Sequence, residues 1–267
     1  VSGPDVVTSA SNPLVRQLRA LKQRGAEDGL CLLEGPKLVA EALAASVTVE
    51  IAAAAPRLLR SAGGRAAVAL LEDAGVRVRW LADRLLDSLS ETETSQGLVA
   101  LARRPRFAED AAFAGIPLLV VAVGVQNPGN LGALLRTAEA AGATGAFLAE
   151  GCADAFSWKA LRGSMGSAFR LPHRRASADQ VLRRLAERRV RALAAVARDA
   201  DTHHESDLRG PVAFVLGAEG TGLPERVAAA CPGRVRVPMR PPVESLNVSV
   251  AAGVLLYEAA RQRRGRL

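Results

Sequence analysis

Residues 126–142 read QNPGNLGALLRTAEAAG, between the apolar run LLVVAVGV (118–125) and the apolar stretch GAFLAE (145–150). The order is strand, glycine loop, helix, strand, the unit from which parallel α/β sheets are built. Such a loop often cradles a nucleotide phosphate, but the required residues are missing. A Walker A loop needs a lysine directly after its last glycine, and Ala133 follows Gly132. A dinucleotide fingerprint needs GxGxxG, and here Gly129 and Gly132 give only GxxG. Pro128 stiffens one side of the loop and Gly129 frees the other. Asn130 stands where its side chain can cap the helix or point outward. Arg136 follows about one and a half turns later. Taken alone, the stretch reads equally well as a capped helix with a surface arginine.

The same alternation extends in both directions. SNPLVRQLRALKQRG (11–25) has Leu14, Leu18 and Leu21 at helical spacing, with Asn12 or Ser11 as cap and Pro13 in the first turn. Strands are expected at 30–35, 47–55, 76–82 and 96–104, and helices at 36–45, 65–75 and 82–91. The polar stretch RRPRFAEDAAFAG (103–115) reads as a linker. Beyond it come strands at 117–125, 145–150, 190–197, 211–217 and 234–239, with helices at 131–141, 154–162, 178–189 and 246–264. The expectation is an α/β fold in two domains, 1–105 and 117–267, joined by a linker at 106–116. The second domain carries a mostly parallel sheet covered on both faces.

Composition narrows the function. The hydrophobic fraction of 49% supports a sizeable core, and a net charge of +8 fits a polyanionic partner, most simply nucleic acid. Aromatic residues make up only 3%, too few for a sheet that stacks single-stranded bases, so any RNA contact should run through backbone and shape. Cys31, Cys152 and Cys231 are far apart and form no CxxC pair, as expected of reduced thiols in a cytoplasmic protein. With His173, His203 and His204 they make no zinc-ligand spacing, so no metal is expected. No apolar run reaches the ~20 residues of a membrane span, and VSGPDVVTSASNP lacks the basic-then-apolar pattern of a signal peptide.

Two further segments complete the argument. LGAEGTGLP (216–224) follows an apolar strand and sets Glu219, its one charged residue, among three glycines that permit positive φ. A strand end of this kind is a ligand position in an open α/β sheet, and also reads as a plain glycine turn. VPMRPPVESLNVSVAAG (237–253) enters a helix through Glu244, Ser245 and Asn247, and its small residues suit ordinary helix packing. In this order the three segments resemble the SpoU (TrmH-type) branch of the SPOUT methyltransferases, whose pattern runs PGN-LG---RTA--AG, LG-EG-GL and IPM-G-V-SLNVSVA. The likeness covers most of 117–264. More loosely, SNPLVRQLRALK, EGPKLVAEAL and SETETSQGLVAL resemble that family's N-terminal module, a small ribosomal-protein-like α/β fold that binds RNA.

The resemblance implies a SPOUT domain with a deep C-terminal trefoil knot. It also implies S-adenosylmethionine as cofactor, a homodimer whose active site uses both chains, and methyl transfer to a ribose 2′-hydroxyl of RNA. Carried over by position, Asn130 and Arg136 face the ribose and phosphate, Glu219 belongs to the second motif, and Ser245 and Asn247 to the third. Leu216, Gly217, Gly220, Val237, Met239, Leu246 and Asn247 are the implied cofactor contacts. Such a reaction needs positioning, charge stabilisation and a proton acceptor. Arg136 suits the second, since a guanidinium keeps its proton. Glu219, a substrate phosphate or water can be the acceptor. Two departures from the pattern stand out: Asn127 where the family often has Asp, and Arg240-Pro241-Pro242 where glycine is common.

Arg16, Arg19, Lys22 and Lys37 in the first domain, and Lys159, Arg162 and Arg170 in SWKALRGSMGSAFRLP (157–172), are the candidate RNA-phosphate contacts, or else a solvated basic face. The two-domain layout favours ribosomal RNA, 23S rRNA above all, over tRNA. The alternative from another class is a noncatalytic RNA-binding or ribosome-assembly factor. An NAD-dependent oxidoreductase fails at the glycine fingerprint.

Overall fold

The computed structural model describes residues 5–24, 29–90, 95–108 and 110–264, which divide into two compact units. The first groups the described residues up to Pro105 with Phe156–Phe169, and the second groups Arg106–Ala155 with those from Arg170 onward.

The first unit runs β1 (Val6–Val7), α1 (Pro13–Arg24), β2 (Leu30–Glu34), α2 (Pro36–Ala44), β3 (Val49–Ala54), α3 (Ala62–Asp73), β4 (Val78–Leu81), α4 (Asp83–Leu89) and β5 (Leu98–Arg103). Its sheet has the order β1-β4-β3-β5-β2. The strands β1, β4 and β3 are parallel, while β5 runs antiparallel to both neighbours. The helix starts follow capping chemistry: the Asn12 side-chain oxygen (Oδ1) accepts from the Leu14 amide (3.0 Å), and the Ser61 hydroxyl from the Gly64 amide (2.9 Å). The apolar side of α1, Val15 and Leu18, meets Leu86 and Leu89 of α4 over Ala53, Leu81 and Leu101 of the sheet.

The second unit contains β6 (Leu118–Ala122), α5 (Pro128–Ala140) and β7 (Gly145–Leu148). Then α6 (Trp158–Ser164) and α7 (Ser167–Arg170) intervene. Of these, α6 packs against β2 and so groups with the first unit, where Arg104 also lies over the Phe156 ring at 5.2 Å. The second unit continues with β8 (His173–Arg175), α8 (Ala178–Glu187), β9 (Arg191–Ala195), β10 (Asp201–Thr202), β11 (Val212–Leu216), α9 (Glu225–Ala230), β12 (Gly233–Arg236) and α10 (Val248–Arg264).

Its seven strands form one sheet in the order β10-β12-β9-β11-β6-β7-β8, and every pairing is parallel. Both faces are covered. Leu119, Val121, Phe147, Ala192, Ala194, Ala213 and Val215 pack on one side with Val181 and Leu185 of α8 and Val227 of α9. On the other side α5 and α10 pack together, α5 against β7 and α10 against β6 and β11. All five residues of β6 and all five of β11 are therefore buried, which explains their unbroken apolar runs.

The strands β1, β8 and β10, only two or three residues long, are additions to the expected list. The helix α5 begins three residues before its expected start, because Asn127 caps it and Pro128 fills its first position. The described residues of 106–116, expected as a linker, fold onto the second unit. Asp110 accepts from Arg184 (2.8 Å) and Arg188 (2.6 Å), and both guanidinium groups lie over Phe113, at 5.4 and 5.3 Å. At the other end Arg263 of α10 donates to four carbonyls: Leu208 (3.0 Å), Ile116 (3.1 Å), Pro117 (3.1 Å) and Gly210 (2.6 Å). Among the described residues no helix is long and apolar enough to cross a membrane.

Candidate active site

Because the sheet of the second unit is all parallel, the carboxyl ends of its strands open on one side, where ligands bind in open α/β folds. Three connections meet there: β6 to α5, β11 to α9, and β12 to α10.

The loop after β11 is a tight hairpin. Ala218 and Gly222 exchange backbone hydrogen bonds (3.2 and 3.0 Å), and Gly220 and Gly222 take φ of +86° and +68°, in the left-handed region. A Cβ on Gly217 would stand 2.1 Å from the carbonyl carbon of Gly222, so no side chain fits there. This closure puts Glu219 at the tip of the turn.

Glu219 ties the three connections together. One carboxylate oxygen accepts from the Asn130 side-chain amide at 2.6 Å. The other accepts from the Asn247 side-chain amide and from the Val248 backbone amide (3.4 Å). A carboxylate only accepts, so each asparagine must turn its NH₂ towards Glu219 and its oxygen away. The Asn247 oxygen in turn accepts from the amide (3.0 Å) and hydroxyl of Ser249 and caps α10. The corresponding cap on α5 is Asn127, whose oxygen accepts from Gly129 (2.8 Å) and Asn130 (3.3 Å). Asn127 thus supplies the capping oxygen that an aspartate would, and Asn130 is left to reach Glu219. Two helix N-termini with their positive dipole ends face one carboxylate.

Beside this cluster lies a cavity of about 500 Å³ at the ends of β9, β11 and β12. Leu216, Gly217, Gly220, Val237, Met239 and Leu246 line it, as do Glu219 and Ser245; Asn247, Asn130 and Arg136 do not. The volume lies within the range of small-molecule sites, ~300–1,000 Å³. Its wall is apolar inside and charged at the edges, which fits a nucleoside carrying an amino-acid group. Val196 and Arg198 after β9 also line it. Sequence reasoning missed them because β9 reaches the site through the strand order, and its residues carry no motif of their own.

Arg136 is exposed on α5 and makes no ion pair among the described residues. Six residues beyond Asn130, it points about 120° away around the helix. Within one chain it therefore stands apart from the Asn130–Glu219–Asn247 cluster.

The candidate RNA contacts are scattered. Arg16, Lys37 and Lys159 are exposed, and Arg19 donates to the Ser88 hydroxyl at 3.2 Å. Arg162 lies over the Trp158 ring at 5.6 Å. Arg170 already holds Glu139 through two hydrogen bonds, at 2.7 and 3.0 Å. The side chain of Lys22 lies outside the described residues. All three cysteines are buried, and burial raises the Cys152 thiol and pushes Cys231 up to about 11, so both are protonated near neutral pH.

Comparison with known proteins gives the family. The model of the SpoU rRNA Methylase family matches residues 117–257, and that of the MRM3-like substrate binding domain matches 12–100. The 23S rRNA (guanosine-2′-O-)-methyltransferase RlmB of Bordetella pertussis is 37% identical over 73% of this chain and 82% of its own length. The 23S rRNA (guanosine(2553)-2′-O)-methyltransferase RlmP of Bacillus subtilis is 32% identical over 94% of this chain and 97% of its own. A crystal structure of an AdoMet-bound rRNA methyltransferase from Sinorhizobium meliloti superposes with a TM-score of 0.82 at 29% identity, covering 98% of both chains. The three loops around Glu219 all fall within the stretch that the first of these models matches, and the chain belongs to the SpoU rRNA methylase family.

Proposed function

We propose that this protein methylates the 2′-hydroxyl of a guanosine ribose in 23S rRNA, with S-adenosylmethionine as methyl donor. The observation that carries the reading is the Glu219 cluster, which joins the three loops beside a cavity of cofactor size. The chain is an S-adenosylmethionine-dependent RNA methyltransferase by family, and the relatives RlmB and RlmP supply the guanosine and the 23S rRNA. When bound, the cofactor supplies an activated methyl group on a sulfonium leaving group that needs no acid.

The protein's own residues do the rest. Glu219 is a positioning residue: it fixes the amides of Asn130 and Asn247, so that the Asn130 oxygen is free to accept from the ribose hydroxyl. In this reading Glu219 positions the two asparagines, and the hydroxyl proton passes to water or to a substrate phosphate. Arg136 stabilises that phosphate and the developing oxyanion. Leu216, Gly217, Gly220, Val237, Met239 and Leu246 hold the cofactor, with Ser245 at its edge. The first domain, residues 1–105, binds the RNA through Arg16 and Lys37, joined by Lys159 of α6, all three of them exposed. Ribosomal RNA as substrate makes the cytoplasm the working compartment.

The working unit in this reading is a homodimer, with Arg136 of one copy completing the cluster of the other. Its support is the position of Arg136 off the cluster's face, together with Val250 and Tyr257 of α10, apolar side chains that are 52% and 48% exposed. A deep trefoil knot also belongs to the reading. In its favour, α10 leaves β12 on the far side of β9 and returns to pack on β11 and β6.

The test is transfer of labelled methyl from S-adenosylmethionine to unmodified 23S rRNA, with the labelled nucleotide mapped. Labelled guanosine 2′-O-methyl is expected, and an absence of label would defeat the proposal. Mixing inactive Arg136→Ala with inactive Glu219→Ala should restore part of the activity, because one mixed-dimer site is intact. No recovery in confirmed mixed dimers would rule out the shared site.

A further inference from the structure

Two loops meet at the rim of the cavity. One leaves β9 and carries Arg198, and the other leads from β12 into α10 and carries Glu244. Their guanidinium and carboxylate stand 3.7 Å apart, and the side chains are 80% and 81% exposed. Neither side chain makes a hydrogen bond among the described residues, so this ion pair is all that holds them. An ion pair this exposed is screened by water and opens at little cost. The cavity wall behind it is apolar, formed by Val196, Leu216, Val235, Leu246 and Leu255.

We propose that Arg198 and Glu244 are the specificity-determining pair for the amino-acid end of the cofactor. Arg198 takes the α-carboxylate and Glu244 the α-ammonium, each exchanging its rim partner for a ligand group. The proposal rests on reading the cavity as the S-adenosylmethionine site. Its logic is charge matching. An amino-acid end presents one anion and one cation on the same carbon, and the rim presents one cation and one anion on side chains that nothing else restrains. A guanidinium also meets a carboxylate through two parallel hydrogen bonds, which an ammonium cannot do. The cavity has a second charged pair, Arg234 with Glu225 at 3.4 Å, which links β12 to the adjoining α9. That pair serves as the control.

Isothermal titration of the full chain with two ligands separates the possibilities. S-adenosylhomocysteine has the amino-acid end, and 5′-methylthioadenosine lacks it. The native protein should bind both, the first more tightly. Arg198→Ala should lose about tenfold in affinity for S-adenosylhomocysteine, the size of one charge-assisted contact, and keep its affinity for methylthioadenosine. Glu244→Gln should behave likewise, and Arg234→Ala should change neither affinity. Retained methylthioadenosine binding shows that each variant is folded. If Arg198→Ala weakens both ligands equally, or neither, the proposal fails while the cofactor site stands. The same follows if Arg234→Ala alone lowers S-adenosylhomocysteine binding. If the native chain binds neither nucleoside, the reading of the cavity fails and takes the proposal with it.

Discussion

The two sheets of this molecule use their strands differently. In the first unit β5 runs against β3 and β2, so loops and helix starts leave from opposite ends, and its exposed cations are spread over several elements. In the second unit all seven strands run the same way, and the ends of β6, β11 and β12 deliver Asn130, Glu219 and Asn247 to one point. Strand direction decides whether a sheet can gather side chains from distant sequence into one cluster. A mixed sheet offers a surface, and a parallel one offers a site.

That contrast can be broken by substitution. Glu219→Ala should have the largest effect, since it releases both asparagines at once. We expect the methyl-transfer rate to fall by about 100-fold, with little change in melting temperature because Glu219 is exposed. A rate within a few-fold of the native one would show that the cluster is incidental. Gly217→Ala comes next. Its Cβ cannot coexist with the hairpin closed by Ala218 and Gly222, so the variant should lose about 1–3 kcal/mol in denaturant unfolding and bind S-adenosylhomocysteine poorly. Unchanged unfolding would mean that the hairpin opens freely.

Asn127→Ala removes the α5 cap and should cost about 1 kcal/mol. Asn127→Asp should restore that loss, because either side chain supplies the accepting oxygen. In the first unit, Lys37→Ala should have the smallest effect. It should leave stability and S-adenosylhomocysteine binding intact and reduce the salt dependence of RNA affinity by about one phosphate contact. A large loss of catalytic rate from Lys37→Ala would erase the distinction between surface and site.

Much of this was legible in the sequence, for identifiable reasons. The buried strands β6 and β11 announce themselves as unbroken apolar runs because a parallel sheet is covered on both faces. Glu219 stood out as a charge among glycines that only a tight turn requires. The strands β8 and β10 were invisible, because three and two residues carry no periodicity and owe their pairing to neighbours already in place. The division of labour between Asn127 and Asn130 was also hidden. Both are plausible caps, and only the start of α5 at Pro128 assigns the cap to one and the reach towards Glu219 to the other. Arg198 and Glu244 belong to no pattern that spacing could detect, since they lie 46 positions apart and are brought together by the order of β9 and β12 in the sheet (244 − 198).

The grip of Arg263 bears on how the chain is made. It holds the carbonyls of Ile116 and Pro117, 147 and 146 positions earlier in the sequence. A ribosome emits β6 long before α10, so the Arg263 grip on these carbonyls closes only when nearly all of this segment has been synthesised. A nascent chain halted before α10 presents a parallel sheet without this fastening and with the face that α10 packs on uncovered. For this unit, synthesis of α10 is the step that covers the second face of the sheet and withdraws it from chaperones and proteases.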